Sequence, residues 1–173
     1  CYRFTWHLFC DWYVEIIKIT LSDKDNTKYQ ETSNTIIWLF SELLKVLHPF
    51  IPFVTEELWQ FANNETAKKM LIANSWPKLT EIKDEGSIFE MNWIVNLITE
   101  IRSLRSELNI SPSLQIKMSV KGLSALSDSY IKANSIIIKK IARISEIIRV
   151  EDTPDGTIEL NYNEAIFAFH IND

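Results

Sequence analysis

The chain has 173 residues, with 18 basic and 23 acidic side chains for a net charge of −5, and 46% of it is hydrophobic. That length can bury one large core or two small ones. Three Gly and five Pro disfavour an all-β fold, and an acidic total argues against a free-standing nucleic-acid-binding domain with a basic footprint, although local phosphate contacts set affinity.

Residues 1 to 20 read as a helix. Phe4, Leu8, Phe9, Trp12, Tyr13, Ile16 and Ile17 cover well over half of its circumference, which predicts that it is embedded in a bundle. The remaining stripe is Arg3, His7, Asp11, Val14 and Lys18. No secretory signal is visible, because charged residues stand among the first aromatics. A start at Cys1, in mid-pattern, reads as a piece cut from a longer protein. Cys1 and Cys10 would lie ~13 Å apart on one helix, too far for a disulfide, and read as small buried or half-buried hydrophobes of a reducing cytoplasm. His7, His48 and His170 are scattered without partners at ligand spacing, so no metal site is expected.

After a polar connection from Ser22 to Lys28, a second helix runs to about Leu47, with Ile36, Ile37, Phe40, Leu43, Leu44 and Leu47 inward. His48-Pro49 is expected to end it, since the residue before proline is pushed out of the helical region. Pro52 suits a first helical turn, so Phe53 to about Asn63 reads as a third helix. A polar stretch from Asn64 to Gly86 includes a possible short strand at Met70–Ile72. Ser87 with Glu90 looks like a capping box, and Phe89, Trp93, Leu97, Ile101, Leu104 and Leu108 mark a long amphipathic helix. Trp12, Trp38, Trp59 and Trp93 fall in apolar stripes, which favours core over base-stacking roles.

The period changes at Asn109-Ile110-Ser111-Pro112. Leu114, Ile116, Met118 and Val120 alternate as in a strand. A helix from about Asp128 to Ile141 and strands at 147–150, 157–160 and 165–171 follow. The fold class is therefore mainly α: a helical bundle over 1–112, then a small α+β domain over 113–173. The longest apolar runs, Ile36–Phe40 and Phe50–Val54, are too short to cross a bilayer.

Three segments resemble a known family. They are Phe9-Cys10-Asp11-Trp12-Tyr13-Val14-Glu15 (preceded by Tyr2 to Trp6), His48-Pro49-Phe50-Ile51-Pro52-Phe53-Val54-Thr55-Glu56-Glu57-Leu58-Trp59, and Arg102-Ser103-Leu104-Arg105-Ser106-Glu107-Leu108-Asn109-Ile110. In that order, with Ser75-Trp76-Pro77 between the last two, they look like the C-terminal region of valyl-tRNA synthetases, a class I aminoacyl-tRNA synthetase family. The middle segment is shared with the isoleucyl and leucyl enzymes, whereas the outer two point to valine. The resemblance implies an N-terminally truncated anticodon-binding domain without the catalytic domain or the C-terminal coiled coil.

It also implies a role for this part of a cytoplasmic enzyme that joins valine to its tRNA. ATP and magnesium would be used by the full-length enzyme, with no cofactor in this piece and no catalytic residue. The partner implied is valine tRNA, with no DNA or membrane and a monomeric state. The isoleucyl relative and, outside the class, a helical protein-interaction module remain alternatives. Lys117-Met118-Ser119-Val120-Lys121 is similar to the family's Lys-Met-Ser-Lys-Ser loop, but its fourth residue differs and its alternation is that of a strand.

Arg3, His7, Val14 and Lys18 offer donors and one aliphatic contact. The resemblance puts this helix beside the anticodon loop, while a solvated face explains the same residues. Arg102 and Arg105, three apart, share a helix side and suit phosphate binding or ion pairing with Glu90, Glu100 or Glu107. Lys139, Lys140 and Arg143 read as an exposed helix face.

Overall fold

A computed structural model describes residues 1–62, 69–78 and 84–171. Contacts between Cα atoms divide it into two compact units, Cys1–Ile82 and Lys83–Asp173.

The first unit is helical. A π-helical segment, Phe4–Tyr13, runs directly into α1, Val14–Leu21. The Val14 N–H reaches back five residues to the Phe9 carbonyl, the wide-turn pattern that α-helices rarely adopt. A wider turn rotates each residue through a smaller angle, so a wheel drawn at 3.6 residues per turn misplaces this segment. Phe9 and Ile17 are buried, but Phe4 and Leu8 are exposed, which corrects the expected all-round burial. Cys1 and Cys10 are also exposed, contrary to the expected burial.

Helix α2 spans Tyr29–Leu47 and α3 spans Pro52–Ala62. Leu43 and Leu44 face inward, whereas Ile37 and Trp38 are about half exposed, at 51% and 52%. Of the four tryptophans expected in the core, Trp59 and Trp93 are buried, Trp12 is half-buried and Trp38 is exposed. The stop after Leu47 has a different cause from the expected one. His48 keeps helical angles, φ −54° and ψ −41°, and Pro49 simply brings no N–H to continue the ladder. The Phe50 and Ile51 N–H groups then close a turn onto the Leu47 carbonyl.

Thr55 fixes the α2–α3 corner. Its buried hydroxyl lies 2.8 Å from His48 Nδ1 and donates to the Ile51 carbonyl at 2.9 Å. Leu44, Trp59 and Leu71 form the local core with Phe40 packed against them, and Phe9 stacks on Phe40. The expected strand at Met70–Ile72 is instead a 3-10 turn, Leu71–Ala73. The Glu56 carboxylate holds it there by accepting the Leu71 N–H at 2.8 Å, which replaces any sheet partner.

The second unit is α4, Glu85–Glu107, followed by β1 (Ile116–Lys121), α5 (Ala125–Ala133), α6 (Ser135–Ala142), β2 (Ile144–Arg149), β3 (Ile158–Tyr162) and β4 (Ala165–His170). The sheet order is β2-β1-β4-β3, with β1 and β2 parallel and the other pairs antiparallel. Ile94, Leu97, Ile98 and Ile101 of α4 are fully buried, as are Met118, Ile138, Phe167 and Phe169. Helix α4 is thus part of the core of this unit, and the contact boundary falls at 82/83 and not at the expected 112/113. A helix with so wide an apolar stripe needs a partner surface, and the sheet-bearing unit supplies it.

Three local readings change here. The N-cap of α4 is Asp84, whose carboxylate accepts the Ser87 N–H and hydroxyl, while Glu90 accepts from Asn134 instead of closing a capping box. The single helix expected over 128–141 is two, because Asn134 leaves helical geometry and its amide bonds the Glu90 side chain and the Tyr130 carbonyl. Lys117 to Lys121 lies in β1 with Met118 and Val120 buried, so the loop-like motif is a sheet strand. Gly122 follows it at φ 79°, where a Cβ would sit 3.2 Å from the Glu164 carbonyl.

Candidate nucleic-acid interface

Arg3, His7 and Lys18 are exposed on the first helical segment and Val14 is half-buried. Two acids temper this face. Asp11 lies 3.4 Å from His7 Nδ1, and Glu15 accepts from Lys18 Nζ at 2.5 Å. Exposed pairs three or four residues apart contribute only a few tenths of a kcal/mol. An incoming phosphate can therefore take Lys18 from Glu15 at little cost. Tyr2 meets the His7 ring edge-on. Beside Val14, burial pushes the Tyr13 phenol above its ordinary value, so this side of the helix is partly dry.

Arg102 and Arg105 do share a side of α4, and both reach the end of α6. Arg102 Nη2 donates to the Ile141 carbonyl at 3.4 Å and Arg105 Nη1 to the Arg143 carbonyl at 3.4 Å. Arg105 is only 6% exposed. Its Nη2 donates to the Ser111 and Leu114 carbonyls at 2.8 and 2.7 Å. A bidentate phosphate fork needs two free N–H edges, and Arg105 has committed them to the chain. It is a buried tie across the 109–114 turn, which corrects its reading as a phosphate ligand. Burial, and then the Arg143 charge, hold its pKa below the ordinary value.

The turn it ties is a Schellman motif. Asn109 sits at φ 52° and donates to the Ser106 carbonyl, while the Ile110 N–H reaches the Arg105 carbonyl at 2.9 Å. Across from it, Arg143 is exposed and leaves α6 in the left-handed region at φ 57°. It is therefore not one cation of a helix face with Lys139 and Lys140, as the sequence suggested. It joins Arg102, Arg105 and Asn109 around a cleft of about 500 Å³. Sequence reasoning missed this residue because only tertiary packing brings it to α4.

Among the described residues no group of three or more His, Cys, Asp and Glu converges as a metal site requires, and no helix is long and apolar enough to cross a membrane. The surface thus offers separated cations and small polar groups, which suit binding and orientation.

Residues 1–120 match the family described as the anticodon-binding domain of tRNA ligases. The chain belongs to that family. Similar proteins include the valine–tRNA ligase of Agrobacterium fabrum, 33% identical over 166 residues, which are 95% of this chain and 17% of that protein. The valine–tRNA ligase of Pelagibacter ubique is 37% identical over 161 residues, 91% of this chain and 18% of the relative. That of Mesorhizobium japonicum is 34% identical over 166 residues, 95% and 18% respectively. This anticodon-binding family member therefore spans less than a fifth of the length of these relatives. The family match ends at residue 120, inside β1, so it runs across the contact boundary and takes in α4.

Proposed function

We propose that the chain is the part of a valine–tRNA ligase that binds and positions the anticodon arm of valine tRNA. The observation that carries this reading is the family match over 1–120, joined to 33–37% identity with valine–tRNA ligases over more than nine-tenths of the chain. Arg3, His7 and Lys18 supply donors for phosphates and base edges, and Val14 supplies an aliphatic contact for a base. Arg102 lies at the second cationic place, with Arg105 acting behind it as a tie. On this reading the anticodon-binding region runs over about 1–112, with the sheet of 113–173 supporting its last helix.

In such an enzyme ATP and magnesium serve valine activation. The residues described here do not fit that role, since they converge no carboxylates for a metal. The chain's contribution is geometric. Holding the anticodon arm fixes where the acceptor end lies, and positioning of this kind is a large part of catalysis between bound partners.

A protein-binding role has one observation in its favour, the exposure of Phe50, Phe53 and Phe61 at and beside α3. Nuclease footprinting of valine tRNA with the purified chain separates the two readings. Protection of the anticodon arm is the expected result. Protection elsewhere, or none at saturating protein, would contradict it.

A further inference from the structure

The cleft where the last turns of α4 meet the end of α6 carries a charge surplus that the fold does not use. Three of its lining side chains are arginines, Arg102, Arg105 and Arg143, and none of the lining residues is Asp or Glu. This occurs in a chain with 23 acidic and 18 basic residues.

The plain structural explanation is that cations cap the carbonyls at the end of α6. It accounts for part of the arrangement. A helix C-terminus carries roughly half a negative charge, and Arg102 and Arg105 both donate toward it. One guanidinium more than offsets that half charge, so the third has no such task.

Arg143 is the surplus member. It stands where helices ordinarily place Gly or Asn, at φ 57° and ψ 50°. A non-glycine residue there costs free energy, and strain of this kind gathers at functional positions. Its side chain is exposed at the cleft, and its charge lies close enough to oppose that of Arg105. An anion between them turns that repulsion into attraction. Around the arginines, Ser106 and Asn109 offer neutral hydrogen-bonding groups, and Ile110 and Pro112 offer an apolar wall. That set matches one nucleotide unit: phosphate to guanidinium, ribose hydroxyls to Ser and Asn, and the sugar or base face to the apolar side.

We propose that this cleft seats a phosphodiester of the RNA backbone, with Arg143 as the contacting cation and Arg105 as the positioning residue behind it. The proposal rests on the RNA-binding reading of the chain and adds a second, sequence-independent contact in the sheet-bearing unit.

The test uses the 173-residue chain, isotope-labelled, titrated with a single-stranded RNA tetranucleotide that lacks the valine anticodon. Amide shifts are followed at Ser106, Asn109, Ile110 and Arg143. In parallel, tRNA affinity is measured across salt for the wild type, Arg143→Gly, Arg143→Lys and Lys121→Ala. Glycine suits the left-handed position, so Arg143→Gly removes the charge without harming the turn. Lys121, paired with Asp152, controls for a lost charge elsewhere in the unit.

The expected result is a cleft-centred shift pattern that Arg143→Gly abolishes. Arg143→Gly should also reduce the magnitude of the tRNA salt slope by about one, equally for valine and anticodon-swapped tRNAs, with partial retention in Arg143→Lys and no change in Lys121→Ala. If tRNA fails to bind but the tetranucleotide gives the Arg143-dependent shifts, the anticodon-arm reading fails and the cleft stands. Silent cleft amides, or a slope for Arg143→Gly equal to that of Lys121→Ala, overturn the cleft. Tighter binding of hexaglutamate than of the tetranucleotide overturns it in favour of an acidic protein partner.

Discussion

Trp93 and Tyr162 fasten α4 to β3 twice: their rings meet edge-on with centroids 5.3 Å apart, and the Tyr162 hydroxyl donates to the Trp93 carbonyl at 3.0 Å. Trp93 is buried and also lies beside Tyr130 of α5. Burial accordingly raises the pKa of the Tyr162 phenol, which keeps it a donor at neutral pH. A helix at the end of the family's matched segment is in this way built into the sheet.

Trp93→Ala should therefore cost roughly 3–5 kcal/mol, the range for large-to-small aromatic changes in a core. Hydrogen exchange of the β4 amides reports the loss for this unit alone, free of the unfolding of the helical one. A loss below about 1 kcal/mol would mean that the indole contributes little to the packing.

The same contacts predict where the chain can be cut. A piece covering 84–173 should fold, with dispersed amide resonances and a cooperative melt, because it keeps Ile94, Leu97, Ile98 and Ile101 over the sheet. A piece covering 113–173 should not, since it leaves Phe167, Phe169 and Ile138 without that cover. Independent folding of the shorter piece would return the boundary to 112/113.

Much of this was legible in the sequence, and the misses have physical causes. The helical spans, the alternating strand at β1 and the burial of Trp59 and Trp93 follow from periodicity and turn residues. The periodic stripe named Trp93, Leu97 and Ile101 but not Ile94 and Ile98, because the helix is covered across a wider arc than one stripe. The first segment misled because its π turns break the 3.6-residue wheel. Pairings over long distance left no local mark. The bond from Glu90 to Asn134 undid the capping box, and the Arg105 bonds to Ser111, Leu114 and Arg143 turned a candidate ligand into a tie. At the candidate site, the exposed cations of the first segment were visible as a polar stripe, whereas Arg143 depends on the approach of α6 to α4.

Arg105→Met tests the tie. It keeps the length of the side chain but leaves the Ser111 and Leu114 carbonyls without their donor, at a cost of about 2–4 kcal/mol for two poorly satisfied groups. Amide exchange at Ile110 and Ile116 should rise with it. Wild-type protection there would show that the turn holds without the guanidinium.

Glu164 sets an acid limit on the second unit. Its carboxylate accepts the Ser127 hydroxyl at 2.5 Å and the Ser124 N–H at 3.3 Å. The Ser127 bond foremost, then its own backbone N–H and Ser124, lower its pKa from 4.5 to about 2. A depressed carboxylate pKa stabilises the fold above the unfolded value and loses that contribution as pH falls through the folded one. The window is thus from about pH 4.5 down to about 2. Urea midpoints at pH 7 and pH 3 should differ less for Glu164→Gln than for the wild type. Equal differences in the two proteins would remove Glu164 from the acid response.

The central claim is that this chain holds the anticodon arm of valine tRNA through a few phosphate contacts and a base contact. The most direct measurement is its affinity for valine tRNA and for the same tRNA with its anticodon exchanged, taken between 50 and 200 mM salt. With three or four cations engaged, the log–log slope should be about −2 to −3. The exchanged tRNA should bind more weakly at every salt concentration with the same slope, because the phosphate contacts are common to both. Affinity that does not change with salt, or that is equal for the two tRNAs, would contradict the account.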